Sequence, residues 1–150
     1  MMRKTKFVNI KQRDAMDCGP SCLAIVVNYY RRQVDRDGLR KICSLGKDGV
    51  SLLGISKAAE TIGFKTIGGR LSFNTLAHEI PLPCVVHWNQ NHFVVLYKVK
   101  RNKFYIADPS KGIQKCTIDQ VKTHWIATTS NNEEKGIALF LEPNDNFKTS

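Results

Sequence analysis

The 150-residue sequence has no apolar stretch long enough to cross a membrane as a helix. Such a helix needs roughly 18 consecutive apolar residues, and the longest obvious run, 22–27, has the length of a core segment. The basic residues 1–6 are not followed by the apolar region of a signal peptide. Without a secretion signal, an odd count of five cysteines does not predict a disulfide framework. We therefore expect reduced thiols and a chain that is cytosolic or faces the cytosol.

Nucleotide-binding motifs are also missing. There is no G-x-x-x-x-G-K-[ST] sequence, and Gly68-Gly69 lacks the strand–helix context of a dinucleotide loop. Positive charge, in contrast, is abundant: 23 Lys and Arg oppose 13 Asp and Glu, a net charge of +10. This charge attracts polyanions, acidic peptides or anionic membranes, and it does not indicate which of them is the partner. Because the basic residues are scattered rather than interleaved with aromatics, the sequence predicts no nucleic-acid partner.

The hydrophobic pattern predicts one α+β domain over 1–150, with a core over about 8–143 and a tail or linker over 144–150. Residues up to about 80 have helical patterns, and the later residues have strand patterns. The predicted helices are 21–32, 35–43, 51–62, 73–80 and 117–124, and the predicted strands are 83–87, 92–99, 104–107 and 136–141. Residues 130–135 are predicted as a loop. We expect N-terminal helices packed on a C-terminal antiparallel sheet.

Cys18 directly precedes the most apolar predicted helix. A thiol at a helix N-terminus lies near the positive end of the helix dipole, which favours the reactive thiolate. Cys22 follows at the i, i+4 spacing, so a metal-binding pair is conceivable. No second cysteine pair has ligand spacing, however, so the sequence predicts neither a metal nor another cofactor. Cys22 is interpreted as a small core residue.

A nucleophilic cysteine needs a histidine base that a third polar group orients. His92 opens the strongest predicted strand, and the next strand ends at Asp108. A three-residue loop between these strands puts Asp108 diagonally across from His92 on one face. A two-residue loop at Arg101-Asn102 puts Asp108 on the other face unless a bulge intervenes. His87, at the end of the preceding strand, is the rival base, whereas His78 and His124 are interpreted as surface or packing residues.

Gln12 lies six positions before Cys18. A side-chain amide beside a nucleophile can complete an oxyanion hole together with the backbone N–H of the nucleophile itself. Gln12 is therefore a candidate oxyanion donor.

The segment from Gln12 to Leu23, QRDAMDCGPSCL, resembles the opening signature of double-glycine leader peptidase domains. These domains stand at the N-terminus of ABC transporters that process and export bacteriocins and lanthipeptides. The similarity continues in 48–51 (DGVS), 91–96 (NHFVVL) and 107–109 (ADP), and covers about 11–143. The order of these blocks makes the resemblance specific.

The resemblance implies a papain-like cysteine peptidase that cuts a precursor after Gly-Gly or Gly-Ala through a thioester. It assigns the nucleophile to Cys18, the base to His92, the orienting residue to Asp108 and the oxyanion donor to Gln12. It also implies an apolar groove for an amphipathic helical leader, with candidate residues Met16, Leu52, Leu53, Ile55 and Phe64, and Trp88 as one wall of a narrow cleft.

The expected partners are the precursor peptide and the membrane and nucleotide-binding parts of an ABC transporter, at the cytoplasmic side of a bacterial membrane. The sequence contains neither transmembrane spans nor Walker motifs. It is therefore interpreted as the N-terminal part of an exporter or as a free-standing relative. Acyl or peptidyl transfer from the same thioester, and a non-catalytic basic binding domain, are the alternative functions.

Overall fold

A computed structural model of the chain describes residues 18–30, 38, 41, 51–89, 92–130 and 133–143. The elements in chain order are α1 (Cys18–Tyr29), α2 (Leu52–Thr61), β1 (Phe64–Ser72), α3 (Phe73–His78), β2 (Cys84–Trp88), β3 (His92–Lys100), β4 (Lys103–Asp108), β5 (Gly112–Cys116), α4 (Ile118–Trp125), β6 (Ile126–Ser130) and β7 (Glu133–Pro143). The predicted helix over 35–43 lies almost wholly outside the described residues. Among the described residues, no helix is both long and apolar enough to cross a membrane.

All of the strand pairs are antiparallel. The sheet order is β1-β7-β2-β3-β4-β5, and β6 pairs with the first part of β7. The α+β class and the antiparallel sheet are thus confirmed. β1 corrects the expectation that everything before about residue 80 is helical, because it pairs with β7 along its whole length. β5 and β6 were not predicted, and β7 begins inside the predicted loop over 130–135.

Helices cover both faces of the sheet. The first core cluster joins α1 and α2 to one face, and it includes Cys18, Cys22, Leu23, Ile25, Val26, Ile55, Ala58, Phe64, Val85, Phe93, Val95, Ala107, Leu139 and Leu141. The second core cluster joins α3 and α4 to the opposite face, and it includes Leu76, Cys84, Val86, Trp88, Val94, Leu96, Phe104, Ile106, Cys116, Val121, Trp125 and Ala138. Alternate residues of β3 enter alternate clusters, as the two-residue period of a strand requires.

The helices α1 and α2 are positioned by different means. α1 is apolar on every side, and ten consecutive residues, 18–27, are buried, as expected for a central helix. α2 buries one stripe that includes Ile55 and Ala59 and leaves its other side chains half-buried or exposed. Ser51 caps α2: its hydroxyl accepts the Gly54 N–H at 3.1 Å. Gly63, which has φ +107°, follows the end of α2.

The hairpin between β3 and β4 resolves the two registers that the sequence left open. Arg101 and Asn102 have φ of +53° and +63°, so the turn is the two-residue type with both central residues left-handed. A bulge between Leu96 and Lys98 then shifts the pairing by one residue. Beyond the bulge Val95 pairs with Ala107, so Asp108 lies diagonally from His92 on the same side of the pleat.

Candidate active site

Cys18 is the first residue of α1 and is 4% exposed. The helix begins three residues earlier than predicted, so the thiol belongs to its first turn. Pro20 is compatible with this position because the first N–H groups of a helix have no partner within it. Cys18 is thus a buried member of the first core cluster, which joins α1 to the sheet.

Asp108 ends β4, and its carboxylate is held at a defined orientation. Its Oδ1 accepts His92 Nε2–H at 2.8 Å, the Ser110 N–H at 2.8 Å and the Lys111 N–H at 3.3 Å. The residue is only 2% exposed. A buried carboxylate is costly unless such donors satisfy it. The turn that follows Asp108 therefore fixes the orientation of its carboxylate independently of the imidazole.

His92 links this carboxylate to the cysteine. Its side chain is 18% exposed, hydrogen-bonds Asp108 and interacts electrostatically with Cys18. Because Nε2 is engaged with Asp108, Nδ1 is the ring nitrogen left for the sulfur. The three side chains form a continuous chain from thiol to imidazole to carboxylate.

The charges and hydrogen bonds around His92 favour the protonated form of its imidazole. Burial alone lowers the pKa of His92, but hydrogen bonds and charge at Asp108 and Cys18 outweigh it and raise the pKa to about 9. Burial would likewise raise the pKa of Asp108, yet the hydrogen bonds from His92 and Ser110 hold it below its usual range. At neutral pH the pair is therefore an imidazolium and a carboxylate.

His87 occupies a different environment. It pairs with Phe93 in the β2–β3 ladder, and the two rings stack at 4.9 Å and 28°. Trp88, not His87, lies opposite His92. The structure thus brings Asp108 and Cys18 to His92, the histidine that the sequence analysis preferred over His87.

The remaining predicted site residues divide into three groups. Gln12 and Met16 lie outside the described residues. Leu52 is half-buried and Leu53 is 64% exposed on α2. Ile55, Phe64 and Trp88, in contrast, are 0%, 1% and 3% exposed, and their side chains fill the two core clusters.

This burial corrects part of the predicted peptide-binding surface. The side chains of Ile55, Phe64 and Trp88 have almost no surface that a peptide could contact in this structure. The resemblance implied that Ile55 and Phe64 line an apolar groove and that Trp88 forms one wall of a cleft, but helical and strand periodicity also marks core-facing positions. Leu52 and Leu53 remain as candidates on the outside of α2.

The backbone amides of Ser110 and Lys111 are functional donors that the sequence analysis missed. An Asp followed by a tight turn commonly accepts N–H groups two and three residues ahead. The sequence Asp108-Pro109-Ser110-Lys111 therefore carried the signal for this self-supported carboxylate.

The four cysteines within the described residues show no metal-site geometry. Cys18, Cys22, Cys84 and Cys116 form no disulfide. Across the described part of the chain, no group of three or more His, Cys, Asp and Glu side chains is placed to hold a metal ion. The arrangement instead matches nucleophilic catalysis, in which a cysteine, a base and an orienting group are connected in sequence.

Comparison with known proteins gives close relatives along nearly the whole chain. The chain is 33% identical over 146 residues to the lactococcin-G-processing and transport ATP-binding protein LagD of Lactococcus lactis, covering 94% of this chain and 20% of LagD. It is 31% identical over 140 residues to the colicin V secretion/processing ATP-binding protein CvaB of Escherichia coli, covering 93% of this chain and 19% of CvaB. The chain thus spans about a fifth of the length of these relatives.

Two solved structures share the fold. A double-glycine motif protease from an AMS/PCAT transporter, in complex with the leader peptide, superposes with a TM-score of 0.80 at 34% identity, covering 94% of each chain. The peptidase domain of Streptococcus ComA superposes with a TM-score of 0.78 at 27% identity, covering 93% of this chain and 100% of that domain. The resemblance drawn from the sequence motifs is confirmed.

Residues 6–144 match the model of the Peptidase C39 family. This range contains the connected Cys18, His92 and Asp108 side chains and every described strand and helix of the fold. The chain belongs to the Peptidase C39 family of cysteine peptidases.

Proposed function

We propose that this peptidase removes the leader of a bacteriocin or lanthipeptide precursor by cutting after Gly-Gly or Gly-Ala. The observation that carries the proposal is the His92–Asp108 hydrogen bond, with His92 also interacting with Cys18 at the start of a buried helix. The solved double-glycine motif protease, 34% identical, supports the choice of substrate.

In the proposed mechanism the Cys18 sulfur attacks the carbonyl carbon of the last leader residue. Its backbone N–H and the amide of Gln12 stabilise the oxyanion. The imidazolium of His92 then donates its proton to the leaving amine, the C–N bond breaks, and a thioester remains. His92 next takes a proton from water, and the hydroxide releases the leader as a carboxylate and restores the thiolate. Asp108 keeps the imidazole oriented throughout and stabilises its charged form in the steps in which it carries the proton.

The raised pKa of His92, about 9, suits the first half of this cycle. A group that must donate a proton at neutral pH has to remain protonated there. The neighbouring carboxylate of Asp108 and the sulfur of Cys18 supply that condition. The mechanism requires no metal.

Leader recognition is proposed to use the outside of α2. Leu53, 64% exposed, and the adjacent Leu52 offer apolar contacts to an amphipathic helix. The net charge of +10 favours a leader that carries acidic residues on its polar side.

The relatives LagD and CvaB are named as processing and transport ATP-binding proteins. We propose that this chain likewise acts with the membrane and nucleotide-binding parts of an ABC transporter, at the cytoplasmic side of a bacterial membrane. Its own residues account for the cutting step.

The test uses the purified chain and a synthetic precursor whose leader ends in Gly-Gly. Mass spectrometry should find one cut after the second glycine, and a precursor with Val in place of that glycine should be cut far more slowly. A product joined to a second amine would indicate acyl or peptidyl transfer instead. No cleavage of the Gly-Gly precursor would contradict the proposed substrate class.

A further inference from the structure

The start of the β2–β3 hairpin is attached to the last turn of α4 by two reciprocal hydrogen bonds. The Asn89 N–H donates to the His124 carbonyl at 2.7 Å, and His124 Nδ1 lies 2.7 Å from Asn89 Oδ1. Because an amide oxygen can only accept, Nδ1 of His124 carries the proton in this bond. Two residues separated by 35 positions are thus joined through both main chain and side chain.

Trp88 connects this contact to the active site. Its indole stacks on the His124 ring, with centroids 5.1 Å apart and planes at 18°. The residue is 3% exposed and lies directly opposite His92 in the β2–β3 ladder. His124 therefore holds both Trp88 and its neighbour Asn89, at the point where β2 meets the residue that bears the imidazole.

The backbone at Asn89 depends on this contact. Asn89 has φ +53°, a left-handed conformation that Asn adopts more readily than most residues. The Asn89 side chain accepts a hydrogen bond from the His124 ring, and the Asn89 N–H donates one to the His124 carbonyl. Only two residues separate Asn89 from His92, and Trp88 pairs with His92, so the hairpin entry lies next to the start of β3.

We propose that His124 and Asn89 are positioning residues for His92, acting through Trp88 and the hairpin entry. The proposal rests on the proposed function, in which His92 is the base. Catalytic side chains have to be held within about 0.5 Å of the productive geometry by surroundings whose own conformations are fixed. Asp108 restrains the imidazole from β4, and the contact of Asn89 with His124 restrains the main chain of His92 from β2 and α4.

Two variants separate the parts of the contact. His124→Phe keeps an aromatic ring against Trp88 and removes the Nδ1 donor. Asn89→Gly keeps the left-handed backbone and removes the Oδ1 acceptor. For both we expect kcat to fall about tenfold or more with KM within about twofold, because a displacement of about 1 Å can cost on the order of 10²-fold.

Two further variants serve as controls. Asn89→Asp retains an acceptor oxygen for His124 and should keep kcat within about threefold of wild type, since hydrogen bonds to charged acceptors are at least as strong as neutral ones. Thr123→Ala changes the neighbouring residue of α4, whose hydroxyl bonds the Asp119 carbonyl of the same helix, and should leave kcat unchanged.

A second readout does not depend on the peptide substrate. The rate at which iodoacetamide alkylates Cys18, followed by mass spectrometry of the peptide that contains it, reports the contact of the sulfur with His92. We expect this rate to fall in His124→Phe and Asn89→Gly and to be retained in Asn89→Asp. Melting temperatures are measured for every variant.

The outcomes distinguish the two proposals. If His124→Phe and Asn89→Gly lower the melting temperature but keep the wild-type kcat and alkylation rate, the contact is merely structural and the inference is overturned. If wild type does not cut the Gly-Gly precursor but the alkylation rates change as expected, the substrate proposal fails and the positioning role stands.

Discussion

The two faces of the sheet contribute different parts of the site. α1, on the first face, is buried on all sides and supplies the sulfur from its first residue. On the second face α4 is amphipathic: it buries Val121 and Trp125 and leaves its other residues half-buried or exposed. α4 has no residue in the Cys18–His92–Asp108 chain, yet its last turn contacts the hairpin that precedes His92.

The first face therefore provides the reacting sulfur, whereas the second face supports the position of His92. A nucleophile on a central helix cannot move without disturbing the first core cluster, so its position is set by apolar packing over many residues. The position of His92 depends instead on a strand end and on a few polar contacts. Substitutions on the first face should therefore act through the reacting sulfur, and those on the second face through geometry or stability.

The largest effect should come from Cys18→Ala. We expect no detectable cleavage of a Gly-Gly precursor, because the thioester cannot form. Cys22→Ala, one helical turn later and 0% exposed, should retain cleavage and lose stability instead. Cleavage assays on both purified variants measure this, and turnover by Cys18→Ala would refute the assignment of the nucleophile.

The next effect should distinguish two histidines on neighbouring strands. His92→Ala should reduce kcat nearly as far as Cys18→Ala, since it removes the proton donor to the leaving amine. His87→Ala should change kcat by only a few fold, because its ring stacks on Phe93 away from Asp108. Steady-state kinetics give kcat for both variants. A larger loss of kcat in His87→Ala than in His92→Ala would assign the base to His87.

A steric change on the second face should act on stability. A Cβ at Gly136 would lie 2.7 Å from the Trp125 carbonyl oxygen and still closer to its indole. We expect Gly136→Ala to lower the free energy of unfolding by about 1–3 kcal/mol. Gly69→Ala, on edge strand β1 with nothing within 4 Å, is the matched control and should change it by less than about 0.5 kcal/mol. Urea unfolding of both variants measures this difference. Equal free energies of unfolding would show that α4 can shift to accommodate the added methyl group without loss of stability.

The last effect is a pH dependence of stability. The pKa of His92 in the folded chain, about 9, exceeds its ordinary value of 6.5, so the folded state binds this proton more tightly. The resulting stabilisation is complete below pH 6.5 and is lost as pH rises through 9. The free energy of unfolding of wild type should therefore decline over this window more steeply than that of His92→Gln. Parallel slopes would show that Asp108 and Cys18 do not hold the imidazole proton.

Local sequence patterns predicted the elements that are stabilised locally. Ser51 at the start of α2 and the apolar run of α1 behave as expected, because caps and burial stripes are encoded within a few residues. β1 escaped prediction because its partner, β7, lies about 70 residues away and its own burial does not alternate. Strand pairing at such a distance has no local signature.

The site was predictable in its residue types but not in its assembly. The order of the blocks around Cys18, His92 and Asp108 identified the candidates. Whether His92 and Asp108 share a face depended on the turn at Arg101-Asn102 and on the bulge, and neither can be read from residue preference alone. The contact between Asn89 and His124 joins residues 35 positions apart, beyond the reach of any local pattern.

The bulge in β3 also links chain length to catalysis. Tyr97 and Lys98 both lie against Tyr105, at 6.1 Å between ring centroids and 5.1 Å from the ammonium to the ring, so two residues oppose one. His92 and Asp108 are 16 positions apart, and an unbroken hairpin with a two-residue turn would put them on opposite faces. The extra residue of the bulge shifts the pairing by one position and so brings His92 and Asp108 to the same face. A relative with the same interval needs either a bulge or a third turn residue, whereas one that is a residue shorter needs neither. The interval between base and carboxylate therefore specifies the kind of hairpin that joins them.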